Sequence, residues 1–196
     1  MNDIQTRVES VQGEPAQHRS LIELESALRA LPPALTDSGR VAFIVRRPTK
    51  GAREVLRRAR LSPEAGLPGD NWSQRGLPDP AAQLTIMQIE VAELIANGQS
   101  LALFGDNLFV NLDLSMANLP IGSRLRVGGA VVEVTPMPHD GCSKFNARFG
   151  NDALRFVNAK PTRHFNLRGI YWRVIAAGEI EVGSPIQVLL RPVIAA

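Results

Sequence analysis

The chain has a single cysteine, Cys142, so no disulfide can form within it. This cysteine usage is typical of a protein kept in a reducing compartment. Long apolar runs are also missing: the longest uncharged stretch, residues 94–105, has twelve residues, whereas a membrane span needs about 20 predominantly apolar ones. The first 30 residues contain five acidic side chains and no apolar core, unlike a secretory signal. We therefore expect a soluble, cytoplasmic protein with no membrane partner.

Lysine is scarce as well, since only three of the 22 basic residues are lysines, and the net charge of +3 is small. Seven basic residues nevertheless cluster in one segment, opposed only by Glu54: Arg46, Arg47, Lys50, Arg53, Arg57, Arg58 and Arg60. This basic cluster is either a solvated helix face or a site for a phosphate-bearing ligand or nucleic acid. Only one aromatic residue, Phe43, lies near it, so base stacking has little support and a nucleic-acid partner is not favoured.

The composition, with 44% hydrophobic and 21% charged residues, is that of an ordinary globular protein, and 196 residues fit one domain. Residues 1–17 are polar and irregular, so we expect a flexible N-terminal tail followed by a single domain over 18–196. A helix over residues 18–31 begins this domain, because Ser20 and Glu23 form a capping box and leucines follow at helical spacing.

The segment before residue 100 predicts alternating short elements. Residues 41–45 are rich in β-formers and predict a strand, whereas residues 51–60 are interpreted as a short basic helix. Ser and Pro at the start of residues 62–64 favour a further helical turn. Residues 84–87 predict a strand, and residues 90–96 predict a helix that Asn97-Gly98 would end.

From residue 101 onward, short apolar runs alternate with turn residues about every ten positions, which is typical of a β-barrel or sandwich. Gly128-Gly129 predicts a two-residue hairpin turn. Its register segregates apolar residues from a charged pair: Leu125 opposite Val132, Val127 opposite Ala130, and Arg124 opposite Glu133. Further strands are predicted over residues 171–176, 180–182 and 186–190. The chain is therefore expected to be mainly β, of the α+β type.

Several strong catalytic motifs are absent. The sequence has no phosphate-cradling Gly-Lys-Ser/Thr loop, no G-x-G-x-x-G, no G-x-S-x-G, no H-E-x-x-H and no pair of C-x-x-C. A zinc site would have to combine His139 and Cys142 with Asp140 or His164. Structural zinc usually takes four ligands, often with more thiolates, so zinc is not favoured.

Residues 138–150 are the strongest candidate for chemistry. They follow the hairpin and place the only thiol, Cys142, near His139, Lys144 and Arg148. The thiolate is the reactive form of cysteine, and neighbouring cations favour it. An inert buried cysteine, the common alternative, would have apolar neighbours. The polar and basic neighbours therefore favour a functional thiol.

A Gly- and Pro-rich loop over residues 66–80 is a second candidate. It contains Gly69-Asp70-Asn71-Trp72 and Arg75. Loops carry function more often than the elements they connect. The alternative is that Trp72 only covers the core and that the polar side chains cap turns.

At this point the sequence resembles a known family, the MOSC domain, which is the C-terminal domain of molybdenum cofactor sulfurases. The resemblance covers most of residues 40–190, with a motif core over 101–188, and rests on four pieces in order. They are Gly105-Asp106-Asn107-Leu108-Phe109-Val110 with Asn118-Leu119-Pro120; Gly122 with the hairpin ending Val132-Glu133-Val134-Thr135; His139 to Gly150 with Asp152-Ala153; and Arg168-Gly169-Ile170-Tyr171 with Arg173-Val174. The loop Gly69-Asp70-Asn71-Trp72 also resembles the upstream loop of stand-alone bacterial members.

The resemblance implies a β-barrel core with a few peripheral helices. It also implies that Cys142 carries sulfur as a persulfide or ligates molybdenum in the molybdenum cofactor. Relatives that reduce N-hydroxylated compounds imply a small N-hydroxylated substrate. The chain departs from full sulfurases because no pyridoxal phosphate lysine or desulfurase domain is recognisable. The separate N-terminal β domain of the amidoxime-reducing component is not recognisable either, and no iron–sulfur or flavin motif is visible. Electrons would thus come from a separate donor protein.

Three hypotheses follow. The first is a molybdenum-cofactor enzyme that reduces N-hydroxylated compounds, with Cys142 as the molybdenum ligand. The second is a metal-free sulfur carrier or transferase that exchanges sulfur with donor and acceptor proteins through Cys142. The third is a non-catalytic module for an anionic partner, based on the basic cluster. The candidate catalytic residues are Cys142, His139 and Lys144; the candidate cofactor-binding residues are Arg148, Asn146, Asp70, Asn71, Trp72, Arg75, Asp106, Asn107 and Arg168.

Overall fold

The computed structural model describes residues 3–8, 11–74 and 76–192. Strands account for most of the regular structure. They are β1 (Asp3–Val8), β2 (Ser38–Arg46), β3 (Arg53–Leu61), β4 (Leu84–Gln88), β5 (Leu108–Val110), β6 (Arg124–Val127), β7 (Ala130–Val134), β8 (Ile170–Ala176), β9 (Gly178–Glu181) and β10 (Pro185–Leu190). The helices are α1 (Leu21–Ala30), α2 (Ile89–Ala96) and α3 (Ser143–Val157).

Seven of these strands close into a barrel. The order β2-β10-β6-β7-β8-β4-β5 returns to β2, because β2 also pairs with β5. Strands β4 and β5 are parallel, and the other barrel neighbours are antiparallel. Strand β3 lies outside this ring, where it pairs with β2. It also pairs with β1 and with β9. The prediction of a mainly β protein with a barrel core and a few peripheral helices is confirmed.

The hairpin between β6 and β7 has the register that its turn predicts. Leu125 pairs with Val132, Val127 pairs with Ala130, and Arg124 pairs with Glu133. The apolar members are fully buried, and Arg124 donates to Glu133 across the other face at 2.8 Å. Gly128 has a φ of +54°, a left-handed conformation that a two-residue turn requires and that glycine adopts without strain.

Apolar side chains form two cores on opposite sides of the sheet. One fills the barrel, with Trp172, Ile86 and Leu108 among its buried members. The other lies between the barrel and the helices, where Phe104, stacked on Phe149 at 4.1 Å between ring centroids, is part of an aromatic cluster. This second core fixes α3 against the barrel and so positions the residues at the start of that helix.

The helices before residue 100 agree with the sequence. Ser20 and Glu23 form a capping box at the start of α1, and Leu24 is fully buried. Helix α2 ends at Asn97, whose φ of 47° is left-handed. By contrast, α3 was not predicted from the sequence. Gly150, with a φ of +87°, kinks that helix where it passes His18.

Three predictions of local structure are wrong. Residues 51–60, interpreted as a basic helix, form most of β3, because Leu56 and Ala59 are buried and three neighbouring strands supply backbone partners. The irregular tail over residues 1–17 contains a strand at Asp3–Val8, which pairs with β3, and a 3-10 helix at Pro15–Gln17. Residues 62–64 form a turn closed by a bridge between Ser62 and Gly66 instead of a helical turn.

A separate observation concerns membranes. In the described part of the chain, none of the helices combines the length and the apolar character needed to cross a bilayer.

Candidate anion-binding and thiol site

A cavity of about 410 Å³ opens where several chain segments converge at one end of the barrel. The segment after β2 contributes Arg47, and the connection into β3 contributes Lys50 and Arg53. The loop before β5 contributes Asp106, and residues 139–148 and 168–171 form further walls together with Val11, Asn71 and Thr85. We call this space the cationic cavity.

The lining of the cationic cavity is strongly unbalanced in charge. Among the described residues of the lining, Asp106 is the only acidic side chain, against six basic ones: Arg47, Lys50, Arg53, Lys144, Arg148 and Arg168. Arg53 and Arg148 form no ion pair with a carboxylate among the described residues. Burial, reinforced by the charges of Arg148 and Arg47, lowers the pKa of Arg53 to about 10. A cavity that holds uncompensated buried cations attracts an anion.

Arg47 is held in place by a buried polar network. Asp70 accepts hydrogen bonds from Nε at 2.9 Å and Nη2 at 2.8 Å, and it also accepts one from the Arg47 backbone N–H at 2.9 Å. Asn107 accepts from Nη2 at 2.9 Å and donates to Asp70 at 3.0 Å. Burial alone would raise the pKa of Asp70, but the hydrogen bonds and charge of Arg47 outweigh it and lower that pKa. Asp70 and Asn107 therefore position Arg47 and do not line the cavity themselves.

Asp106, Arg168 and His139 form a second network in the floor. Arg168 donates from Nη1 to Oδ2 of Asp106 at 2.7 Å, and Nε2 of His139 lies 3.5 Å from Oδ1. Burial raises the pKa of Asp106, and Arg168 offsets only part of that effect. Burial and then the charges of Arg168 and Arg47 lower the pKa of His139 well below 6.5. The imidazole is therefore neutral at pH 7.

Buried polar atoms without a hydrogen-bond partner concentrate in this cavity. Five of the nine such side-chain atoms in the described residues belong to residues that line it: Nε of Arg53, Oδ1 of Asn71, Oδ1 of Asp106, Nδ1 of His139 and Nε of Arg168. Leaving such groups unpaired costs about 1–3 kcal/mol each. The presence of such atoms in residues that line the same cavity as six cations is typical of a site built for a polar, anionic ligand.

Gly105 gives the cavity part of its shape. Its φ is +74°, and a Cβ on it would lie 2.7 Å from Nη2 of Arg53. Glycine thus serves two purposes here, because it permits the left-handed backbone and leaves room for the arginine.

Cys142 is exposed and does not line the cationic cavity itself, but it lies two residues before Lys144, which does. It precedes the first residue of α3, and its carbonyl accepts from the N–H of Asn146 at 2.9 Å. Burial lowers the pKa of Arg148, and an electrostatic interaction with the nearby Cys142 opposes that shift. Arg148 itself is anchored to the carbonyls of Val11 and Leu103. The thiol is therefore accessible and lies within the field of a cavity cation.

The structure brings together most of the residues that the sequence singled out. Six line the cavity: Asn71, Asp106, His139, Lys144, Arg148 and Arg168. Trp72 is buried and donates its indole N–H to the carbonyl of Asp79 at 3.1 Å, so it holds the loop instead of facing the cavity. Asn146 is on α3 outside the lining. Arg75 lies outside the described residues.

Sequence reasoning did not assign three of the cavity cations, Arg47, Lys50 and Arg53, to the site. They belong to the basic cluster, which had already been considered as a phosphate site, but the predicted helix gave them no place beside the thiol. The same cluster is divided in the structure, because Arg57, Arg58 and Arg60 are exposed. Within the described ranges, no group of three or more His, Cys, Asp and Glu side chains is arranged to hold a metal ion.

A seven-stranded barrel with an exposed thiol beside a cationic cavity defines the class of protein. Residues 78–187 match the model of the MOSC domain family, which is more than half of the chain. The chain therefore belongs to the MOSC domain family, and the resemblance inferred from the sequence is confirmed.

Solved structures with the same fold are the YuaD protein from Bacillus subtilis and YiiM from Escherichia coli. YuaD is 19% identical with a TM-score of 0.59, and the match covers 77% of this chain and 95% of YuaD. YiiM is 23% identical with a TM-score of 0.52, and the match covers 78% of this chain and 71% of YiiM. At these identities the likeness extends to the fold. Among curated proteins, no sequence matches this chain.

Proposed function

We propose that this MOSC-domain protein binds the molybdenum cofactor in the cationic cavity, with Cys142 as the protein ligand of molybdenum. In this proposal it reduces small N-hydroxylated compounds with electrons from a separate protein. The main support is that residues lining the cavity carry six cations and five unpartnered buried polar atoms, and that the exposed Cys142 interacts electrostatically with one of those cations, Arg148. A phosphate-bearing pterin needs such donors, and molybdenum prefers a soft thiolate ligand.

The residues of the cavity would have different roles in binding the cofactor. Arg53, Arg148 and Lys144 would neutralise the phosphate, because they lack carboxylate partners in the described chain. Arg47 would contribute a cation in a fixed orientation set by Asp70. The bound cofactor would supply a metal able to carry two electrons.

The reaction also needs protons. Reduction of R–NH–OH takes two electrons and two protons and yields R–NH2 and water. His139 and Asp106 are a buried imidazole and a buried carboxyl group of the lining, and their facing atoms are 3.5 Å apart. They would hold a proton near the reacting N–O group. The electrons would come from the donor protein.

The exposure of Cys142 favours a second candidate function, a metal-free sulfur carrier. In that case the thiolate would attack the outer sulfur of a donor protein's persulfide. A new S–S bond would form at Cys142, the donor's S–S bond would break, and the donor thiolate would leave. An accessible thiol suits such protein-to-protein exchange.

The test is to express the full chain in cells that make molybdenum cofactor and to measure molybdenum per chain and intact mass. Cys142→Ser is the test variant, and Ser143→Ala, an exposed neighbour, is the matched control. The proposal expects near-stoichiometric molybdenum in the wild type and the control and its loss in Cys142→Ser, with thermal unfolding unchanged. A mass increase of about 32 Da on Cys142 without molybdenum would support the carrier instead. Full molybdenum in Cys142→Ser would refute the ligand assignment.

A further inference from the structure

A second pocket, of about 470 Å³, lies against the cationic cavity and is lined by apolar residues. We call it the apolar pocket. Its fourteen lining residues include no Asp, Glu, Lys or Arg, and ten of them are Leu, Ile, Val, Met or Pro. Its volume is within the range of about 300–1,000 Å³ that is usual for small-molecule sites. Its composition excludes strong binding of a charged group, because no counter-charge faces it.

The two pockets share one residue, His139. On one side, Nε2 faces Asp106 in the cationic cavity at 3.5 Å. On the other side, Nδ1 lies 3.3 Å from the position that a Cβ on Gly169 would occupy, and Gly169 lines the apolar pocket. This nitrogen is buried and has no hydrogen-bond partner in the described part of the chain. The imidazole is therefore a polar group that lies between the cationic cavity and the apolar pocket.

The walls of the apolar pocket are suited to small apolar ligands of varied shape. Four of the lining residues are prolines, which restrict the backbone and keep the pocket open. Met116 and Met137 add flexible, polarisable side chains that adapt to aromatic or irregular ligands. Met116 and Ile121 remain 48% and 61% exposed, so apolar surface at the rim is left for a ligand to cover.

Building on the proposed function, we propose that the apolar pocket binds the uncharged, apolar body of the substrate and that His139 holds its N-hydroxyl group. The substrate class is a neutral N-hydroxylated compound with an aromatic or aliphatic body. Continuity through His139 favours this occupant, since it places the N–O group of a bound molecule next to the cationic cavity. A charged substrate would lose its hydration in the apolar pocket without gaining a partner.

Binding of phenylhydroxylamine and of its 4-carboxylate analogue to the full chain would test this inference by ligand-observed NMR and calorimetry. Ile121→Glu and Met116→Glu place a carboxylate at the rim, and Ile22→Glu, on an isoleucine of α1 that is 75% exposed, is the matched control. We expect the neutral probe to bind at least tenfold more tightly than the carboxylate. Both rim variants should weaken it at least tenfold, whereas the control and the molybdenum content should not change.

Three results would overturn the inference. One is wild-type affinity for the neutral probe in both rim variants, and another is a preference for the carboxylate analogue. The third is a dimer that Ile121→Glu converts to a monomer at unchanged probe affinity, which would make the pocket a contact between copies. The proposed function fails separately: a wild type without molybdenum whose probe binding is still lost in Ile121→Glu supports the pocket and contradicts the cofactor assignment.

Discussion

His139 faces Asp106 across 3.5 Å between Nε2 and Oδ1, and this contact lies where the cationic cavity meets the apolar pocket. Arg168 occupies the other carboxylate oxygen at 2.7 Å. Burial raises the pKa of Asp106 and lowers that of His139. The imidazole is therefore neutral despite the positive charges around it. A neutral imidazole can both donate and accept a hydrogen bond, which suits contact with an uncharged ligand.

The lowered pKa of His139 predicts a pH-dependent loss of stability. Below the ordinary histidine pKa of 6.5 the unfolded chain takes up a proton that the folded chain refuses. The free energy of unfolding should therefore fall as the pH drops below 6.5, by up to about 1.4 kcal/mol per pH unit from this residue. His139→Gln should remove that contribution, so the two proteins should diverge in slope in urea titrations between pH 7 and pH 5.

The matched control for this titration is His164→Gln, because His164 is exposed at the surface. Asp106 affects stability in the opposite direction. Because the pKa of its carboxyl group is raised in the folded protein, its contribution lowers the free energy of unfolding as the pH rises. It is present in all three proteins and therefore contributes to all three curves. Parallel curves for His139→Gln and the wild type would show that the imidazole is protonated in the folded protein.

The Asp70–Arg47 pair predicts a large loss of stability on mutation. Asp70→Asn removes a buried carboxylate that accepts two guanidinium hydrogen bonds, leaving Arg47 as a buried cation without a carboxylate partner. We expect the free energy of unfolding to fall by about 3 kcal/mol at pH 7. The pKa of Asp70 is lowered, so this stabilisation is present above 3.8 and is lost as the pH falls through the folded value.

Chemical denaturation at pH 7 and pH 3 measures both parts of this prediction. The control is Glu179→Gln, which breaks the exposed ion pair of Glu179 with Arg60 at 3.4 Å. Exposed pairs contribute less than about 1 kcal/mol. An equal effect of the two substitutions at pH 7 would mean that the buried network does not hold Arg47.

Local signals in the sequence were sufficient for some elements of the fold. The hairpin was predicted because its turn and its alternation lie within twelve residues, and α1 was predicted because Ser20 and Glu23 cap it. Strand β3 was not predicted, because two of its pairing partners, β1 and β9, are distant in the chain, and pairing overrides the helical interpretation of residues 51–60. Closure of the barrel between β2 and β5 depends on the same long-range pairing.

The residues of the candidate site, like the elements of the fold, could be predicted from the sequence only in part. Lys144 and Arg148 could be associated with Cys142 because all three lie within seven consecutive residues. Arg47 and Arg53 reach the same cavity from another part of the chain, and only the fold brings them there. The apolar pocket had no sequence signal, because its walls come from four separate segments between residues 116 and 192.

Removing one buried cation should weaken anion binding without weakening the fold. Arg53 is buried and, in the described chain, hydrogen-bonds through its side chain only to the carbonyl of Ala52. Arg53→Met should lower the affinity for inorganic phosphate by about tenfold, the loss expected for one charge-assisted contact. The free energy of unfolding should be unchanged or rise by about 1 kcal/mol, because an unpaired buried charge is lost.

Calorimetric phosphate titration and thermal unfolding check this pair of effects. Arg57→Met is the control on the same strand, since Arg57 is exposed and outside the cavity lining. Equal loss of phosphate binding in both variants would indicate a diffuse surface effect and not a built site.

The left-handed turn at Gly105 allows a test of cavity shape that changes no charge. A Cβ at Gly105 would lie 2.7 Å from Nη2 and 3.0 Å from Nε of Arg53, so Gly105→Ala should displace that guanidinium as well as strain the backbone at φ +74°. Gly98→Ala is the control for strain alone, because Gly98 has a φ of +86° with open space around its Cβ position. Both substitutions should lower the free energy of unfolding by about 1–2 kcal/mol. Phosphate affinity should fall at least fivefold in Gly105→Ala and stay at the wild-type value in Gly98→Ala. Wild-type affinity in Gly105→Ala would show that the position of Arg53 does not govern anion binding.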